Sequence, residues 1–276
     1  MRGRSIVTSS LFNSMFNILG NLSKFNHSYL AICLLSLSLG MTNPALAEYK
    51  KPKNTKNDAP SSQSTGIAAT RSGSCNLGDN KTKANSATLT ALAPYDHVGQ
   101  SAATNPTFAW YIPDRESYPV EFSLSESDPT GYQGKGKQVY QTRLQSSAGI
   151  MTYALPIEVS LVPGQTYIWQ VAVICNPNSP SQTLVVNNQV EIVKIDPATS
   201  SKLDRAENPV TKANMYAQSS LWYDALAEVA LLNDSQAQDT TIKLLNQLAN
   251  IERDSDSLKQ IVQQLRAKSY MRSGIP

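Results

Sequence analysis

Between residues 86 and 195 the chain reads as a succession of short β-strands, each closed by proline, glycine or polar turn chemistry, with no helical periodicity among them. Residues 88–92 are β-compatible and stop at Pro94, and residues 107–112 (TFAWYI) are aromatic and β-branched and stop at Pro113. In residues 120–124 the side chains of Val120, Phe122 and Leu124 alternate with Glu121 and Ser123, the period of a strand with one buried face. Further strands are expected at 138–144, after a Gly-rich turn at 131–136, and at 151–155, 167–174 and 184–195. The segment 167–174 (YIWQVAVI) is apolar on both faces apart from Gln170, as a central strand would be. Seven or so such strands in about a hundred residues predict an antiparallel sandwich.

Leu161-Val162-Pro163-Gly164-Gln165-Thr166-Tyr167 resembles the L-x-P-G-x-x-Y corner of fibronectin type III domains. There Pro-Gly turns the chain, and the tyrosine hydroxyl bonds back to the preceding connection. The fold expected is therefore a fibronectin III/immunoglobulin-like sandwich over residues 75–197, with Trp110 and Trp169 as core partners.

After Pro197 the period changes. Ala213, Tyr216, Ser220, Trp222, Ala225, Leu226 and Val229 fall at the spacing of the tetratricopeptide pattern, with Ser220 where glycine is usual. A helix from about Leu221 puts Trp222, Leu226 and Val229 on one face, and residues 240–251 and 257–268 read as two more amphipathic helices. Asp239 and Asp256 are the expected N-caps. Residues 198–276 thus form a small helical region with one tetratricopeptide-like hairpin, completing a β + α chain.

The N-terminus carries the three parts of a secretory signal. Arg2, Arg4 and Lys24 precede an apolar stretch at 29–41, and Ala45-Leu46-Ala47 offers the small-x-small site, so cleavage after Ala47 is expected. The competing reading is an uncleaved anchor, although the apolar stretch is short for a span. Residues 48–74 are polar and read as a flexible leader. Export also changes the charge argument. The chain has 24 basic and 21 acidic residues, and three of the basic ones leave with the signal, so the mature chain is balanced and offers nothing to nucleic acid. Cys33 leaves as well. Cys75 and Cys175 then meet an oxidising compartment and are expected to pair; two cysteines and one remaining histidine make a poor zinc set.

Chemistry is sparsely signalled. His97, in Tyr95-Asp96-His97-Val98-Gly99, is expected to be an exposed loop histidine, since no G-x-S-x-G elbow accompanies it. The string from Gly131 to Lys137 matches G-x-x-x-x-G-K, but Gln138 replaces the Mg²⁺-binding hydroxyl and a strand rather than a helix is expected next, so it reads as a hairpin turn. Asp114 with Glu121 or Glu126 would supply carboxylates for an envelope glycan hydrolase. Tyr111, Tyr118, Tyr132 and Tyr140 lie near strand ends; Tyr111, Tyr118 and Tyr140 are taken as a candidate aromatic surface for sugars or peptides.

Several motifs recur in an order that resembles a cyanobacterial family known as domain of unknown function 928. They are Leu89-Thr90-Ala91-Leu92-Ala93-Pro94, Asn105-Pro106-Thr107-Phe108-Ala109-Trp110, Glu121-Phe122-Ser123-Leu124 and Val139-Tyr140-Gln141-Thr142. They continue with Pro163-Gly164-Gln165-Thr166-Tyr167-Ile168-Trp169, Ile174-Cys175-Asn176-Pro177 and Leu221-Trp222-Tyr223-Asp224-Ala225-Leu226. The resemblance spans roughly residues 75–235 and implies an exported cyanobacterial protein, with no reaction attached. The function expected is a non-catalytic binding or scaffolding protein of the periplasm or cell envelope. Its partner would be an envelope protein or glycan. The mature form should not span the membrane, and neither cofactor nor metal is called for.

Overall fold

The computed structural model describes residues 48–53, 75, 87–128, 130, 135–253 and 255–273. Among the described residues eight strands form two sheets. The first, in the order β1-β3-β6, holds β1 (Thr90–Ala91), β3 (Thr107–Ile112) and β6 (Gly149–Ala154). The second, in the order β2-β8-β7-β4-β5, holds β2 (Gly99–Ser101), β8 (Thr183–Ile192), β7 (Thr166–Ile174), β4 (Pro119–Ser127) and β5 (Lys135–Gln145). Five α-helices follow among the described residues: α1 (Pro197–Leu203), α2 (Pro209–Gln218), α3 (Trp222–Val229), α4 (Ser235–Ile251) and α5 (Asp256–Ser273).

The alternation in β4 does what its period demands. Val120, Phe122 and Leu124 are fully buried, and Phe122 meets Phe108 of β3 and Tyr153 of β6 with ring centroids 5.2 and 5.0 Å apart. Trp169 on β7 packs on Phe108 at 5.3 Å, while Trp110 stacks on Phe122 at 6.3 Å, so the two tryptophans are linked through the phenylalanines between them. β7 lies between β8 and β4 in the middle of its sheet, and its apolar residues are buried on both faces. β5 pairs with β4 alone and carries Lys137 and Arg143 outward, charges that discourage edge-to-edge association. At the turn before β7, Gly164 adopts φ 87°, and the Val162 amide donates to the Tyr167 hydroxyl at 3.0 Å.

Two expectations are corrected here. The sheets are not purely antiparallel: β2, which has no strand pattern of its own, pairs parallel with the end of β8. The N-cap of α4 is Asp234, whose side chain accepts from the Ala237 amide, so the helix starts five residues before the position expected and Asp239 lies inside it. Asp256 is the first residue of α5.

The turn between α2 and α3 closes with the Ser220 amide on Ala217 O and the Leu221 amide on Tyr216 O, the paired bonds of a Schellman cap. That cap needs a left-handed residue, and Ser220 supplies it at φ 66°. A side chain there costs about 1–2 kcal/mol, part of which glycine would give back through its larger unfolded-state entropy. Ser220→Gly will therefore stabilise the chain by about 0.5–1 kcal/mol in urea denaturation; an unchanged or lowered midpoint would refute this account of the turn.

Cys75 and Cys175 are joined in a disulfide with Cα atoms 5.1 Å apart. Sheets and helices share one apolar core, in which Phe108, Trp169, Trp222, Leu226, Leu245 and Ile261 all take part.

Candidate functional site

The chain leaves the first sheet after β1 and enters the second at β2, and in crossing it loses its ladder partners. Backbone carbonyls stranded in this way must be met by side chains. Tyr95 donates its hydroxyl to Ala91 O at 2.6 Å, Trp222 its indole N–H to Leu92 O at 2.9 Å, and Asn188 its amide to Pro94 O at 2.8 Å. Two of the motifs quoted above, the one ending in Pro94 and the one beginning at Leu221, thus meet in space.

Three consecutive residues at the start of α3 make three different attachments. Trp222 is fully buried and bonds to Leu92. Tyr223 donates to Gln189 O at 2.7 Å and accepts from the Trp169 indole at 2.8 Å, so it reaches both β8 and β7. Asp224 accepts from the Ala102 and Ala103 amides at 2.9 and 3.1 Å and from Ser101 Oγ at 3.2 Å, gripping the chain just past β2. Gly99 is required by this arrangement, because a Cβ there would sit 2.8 Å from the Tyr223 ring and 3.1 Å from Pro94.

Burial pushes the Asp224 carboxyl up to about 6, against the opposing pull of the amides and hydroxyl that donate to it. Between the ordinary value near 3.8 and about 6 the folded state keeps a proton that the unfolded chain has lost. Stability from this group is therefore complete below the lower value and falls as pH rises through the upper one. The loss amounts to about 3 kcal/mol, from about 1.4 kcal/mol per unit of pKa difference. The unfolding free energy of the wild type, taken relative to that of Asp224→Asn, will fall by about that amount between pH 4 and 7. A constant difference would show that Asp224 does not titrate in this range.

A second cluster surrounds His97. It is fully buried rather than exposed, because the loop that carries it is covered by residues far away in the chain. Its Nε2 lies 2.8 Å from the Tyr49 hydroxyl, and its Nδ1 faces Glu252 Oε1 at 3.4 Å. Glu252, at the C-cap of α4, also accepts from the Tyr95 and Asp96 amides at 3.0 and 2.6 Å. Asp96 answers by accepting from the Arg253 amide and Nε at 2.6 and 3.2 Å. Tyr49 belongs to the segment expected to be a flexible leader, yet it is 3 % exposed and its ring packs edge-on against Trp222 at 4.9 Å. Burial, reinforced by the charge of Glu252, holds its phenol well above the usual range, so it stays protonated. A carboxylate, an imidazole and a phenol in line could relay a proton, but here all three are shut away from solvent and tie the segment at Tyr49 and the end of α4 to the β1–β2 crossing.

The residues expected to form an aromatic surface are not alike. Tyr111 is buried, its hydroxyl donating to Gln264 of α5 at 2.6 Å, because α5 covers that part of β3; it is not a surface residue. Tyr118 and Tyr140 remain partly exposed. Tyr118 donates to Glu116 at 2.7 Å, and that bond, with some burial, pushes its phenol up to about 12. Tyr140 pairs with Tyr153 across the edges of the two sheets, with hydroxyls 2.5 Å and ring centroids 6.0 Å apart. Tyr132 and most of the Gly-rich string lie outside the described residues, but Lys135, Lys137 and Gln138 are on β5, so a strand follows the string. Of the carboxylates, Asp114 is buried and accepts from the Cys75 amide at 3.1 Å, Glu121 faces Arg143 at 3.7 Å, and Glu126 is exposed. Among the described residues no group of three or more His, Cys, Asp or Glu side chains is placed to hold a metal, and no helix is long and apolar enough to cross a membrane.

Sequence reasoning missed Tyr49, Asp224 and Glu252 as structural anchors. Asp224 alone left a trace, a carboxylate inside the apolar run Leu221–Leu226. Away from these clusters, a cleft of about 320 Å³ opens between Gly149 and Ile150 of β6, Leu231 and Leu232 after α3, and Leu265 and Lys268 of α5. Leu231 is 62 % exposed at its mouth.

Comparison with curated proteins finds no match. Among solved structures there is a similarity to Astrotactin-2, described as a conserved vertebrate-specific and perforin-like membrane protein involved in neuronal development. It has 9 % identity over 69 % of this chain and 37 % of that one. At a TM-score of 0.25 that likeness carries no argument. Residues 66–266 match the family model described as Domain of Unknown Function (DUF928). That match takes in both the β1–β2 crossing and the Trp222–Asp224 attachment that holds it, and the chain belongs to this family.

Proposed function

We propose that the protein is an exported, non-catalytic binding or scaffolding module of the cell envelope, released by cleavage after Ala47, with an envelope protein or glycan as its partner. The architecture that goes with this reading is a fibronectin/immunoglobulin-like sandwich bearing a tetratricopeptide-like hairpin. Its support is the strand order, in which β1-β3-β6 correspond to A-B-E and β8-β7-β4-β5 to G-F-C-C′ with β2 added on the outer edge of β8, together with the bond from the Val162 amide to Tyr167 at the expected corner.

The observation that carries the functional reading is the cleft at Leu231. The buried His97, Asp114, Asp224 and Glu252 are engaged with the chain itself, whereas the cleft turns leucine side chains toward solvent beside a single cation, Lys268. Exposed apolar side chains gathered around a concavity favour docking. Wild-type protein immobilised at micromolar density should retain an envelope protein or glycan that Leu231→Asp, with unchanged thermal stability, retains at least about ten-fold less. Equal retention by both, or by neither, would count against the proposal.

A further inference from the structure

Residues 48–53 enter the shared apolar core through one side chain, Tyr49, as an extended peptide enters a pocket. Of these six residues only Tyr49 is buried; Glu48, Lys50, Lys51 and Lys53 are exposed. The Tyr49 side chain anchors the segment, and its backbone bonds through Tyr49 N–H to Gln247 Oε1 at 3.0 Å and through Lys50 N–H to Ala217 O at 3.1 Å. The receiving surface is assembled from distant parts of the chain: Ala217 of α2, Trp222 of α3, Gln247 of α4, and His97 of the β1–β2 crossing, itself backed by Glu252. An aromatic wall, a hydrogen-bonding imidazole at the bottom and backbone partners at the rim are the parts with which proteins recognise a side chain on an extended peptide.

We propose that the surface that seats Tyr49 is a peptide site selective for tyrosine, and that the arm formed by residues 48–53 is its built-in occupant. The ligand class is an extended peptide carrying a tyrosine, the arm's own Glu-Tyr-Lys-Lys-Pro-Lys being one example. His97 Nε2 recognises the phenol hydroxyl, Trp222 the ring, and Gln247 and Ala217 O the backbone on either side. In the intact chain the arm competes with any such peptide, because its tether keeps it at a high local concentration. The site shares no residue with the cleft at Leu231, so it rests on the cleavage after Ala47 proposed above and not on that cleft.

The test uses the mature chain with Tyr49→Ala, which leaves the pocket vacant, titrated with the hexapeptide Glu-Tyr-Lys-Lys-Pro-Lys and followed by tryptophan fluorescence and calorimetry. One peptide should bind per chain and raise the melting temperature of the variant toward that of the wild type. The peptide with phenylalanine for tyrosine should bind about ten-fold more weakly, for loss of one hydrogen bond. The alanine peptide should not bind, and the wild-type chain should bind the tyrosine peptide about ten-fold or more less tightly than the variant. Absence of binding to a folded variant, or equal binding to variant and wild type, would overturn the assignment. Should Tyr49→Ala fail to fold, hydrogen exchange on the wild type decides. The Lys50 amide should exchange through a local opening that excess tyrosine peptide accelerates, much faster than the Ala225 amide in α3. Exchange of both amides only on global unfolding would mark the arm as an integral part of the core.

Discussion

Trp222→Ala will lower the free energy of unfolding by about 4 kcal/mol, within the 3–5 kcal/mol that truncating a buried tryptophan or phenylalanine costs. The indole is fully buried at the point where the helices join the β1–β2 crossing, packed against Tyr49, and the surrounding rings and backbone are too constrained to collapse into the space it leaves. The substitution also strands Leu92 O, a buried carbonyl whose loss of a partner adds about 1–3 kcal/mol to the penalty of any replacement that cannot donate. Trp222→Phe separates the two contributions: it keeps most of the apolar volume, loses the donor, and should cost about half as much. Equilibrium denaturation in urea, with the slope checked for constancy, measures both. A cost below about 1 kcal/mol for the alanine variant would mean that the helices and sheets are not coupled through this residue.

Loss of the disulfide is the second large effect. Cys75 and Cys175 are 100 residues apart, and in the chain-entropy model a closure of that length restricts the unfolded state by about 4.7 kcal/mol. Native disulfides commonly contribute about 2–5 kcal/mol. Cys175→Ser should therefore destabilise the protein by an amount in that range, and reductant should do the same to the wild type while leaving the variant unaffected. The Cys75 amide also donates to the buried Asp114, so residue 75 keeps one tie to the chain after β3 when the covalent bond is gone. For that reason the native structure should survive reduction at room temperature and show its weakness as a lower denaturation midpoint. A wild type indifferent to reductant would refute the prediction.

These effects also mark which features were legible in the sequence. Strands with a period of two, such as 120–124, and a strand apolar on both faces, 167–174, announce themselves locally, because a side chain's direction along a strand depends only on its position. The Pro163-Gly164 turn and the change to helical spacing after Pro197 are equally local. The cysteine pair followed from the count and from the expectation of export. By contrast β2 has three residues and no pattern of its own; it is a strand because the end of β8 offers it an edge. The start of α4 went to Asp234 rather than Asp239 because a cap depends on which side chain actually reaches an amide two or three positions on.

The candidate sites depended almost wholly on long-range contacts. Tyr111 has the composition of a surface aromatic, and α5 buries it. His97 looked like a loop histidine, and it is enclosed by Tyr49, 48 residues before it, and by Glu252. Asp224 reaches Ser101, Ala102 and Ala103 across more than 120 residues of chain. The sequence by itself determined the β + α character, the family and the cysteine pair, since these rest on periodicity, motif order and counting. Only the tertiary structure decided which polar groups are buried and which partners they find. Burial belongs to whatever covers a residue, and here the covering comes from segments that local pattern cannot bring together.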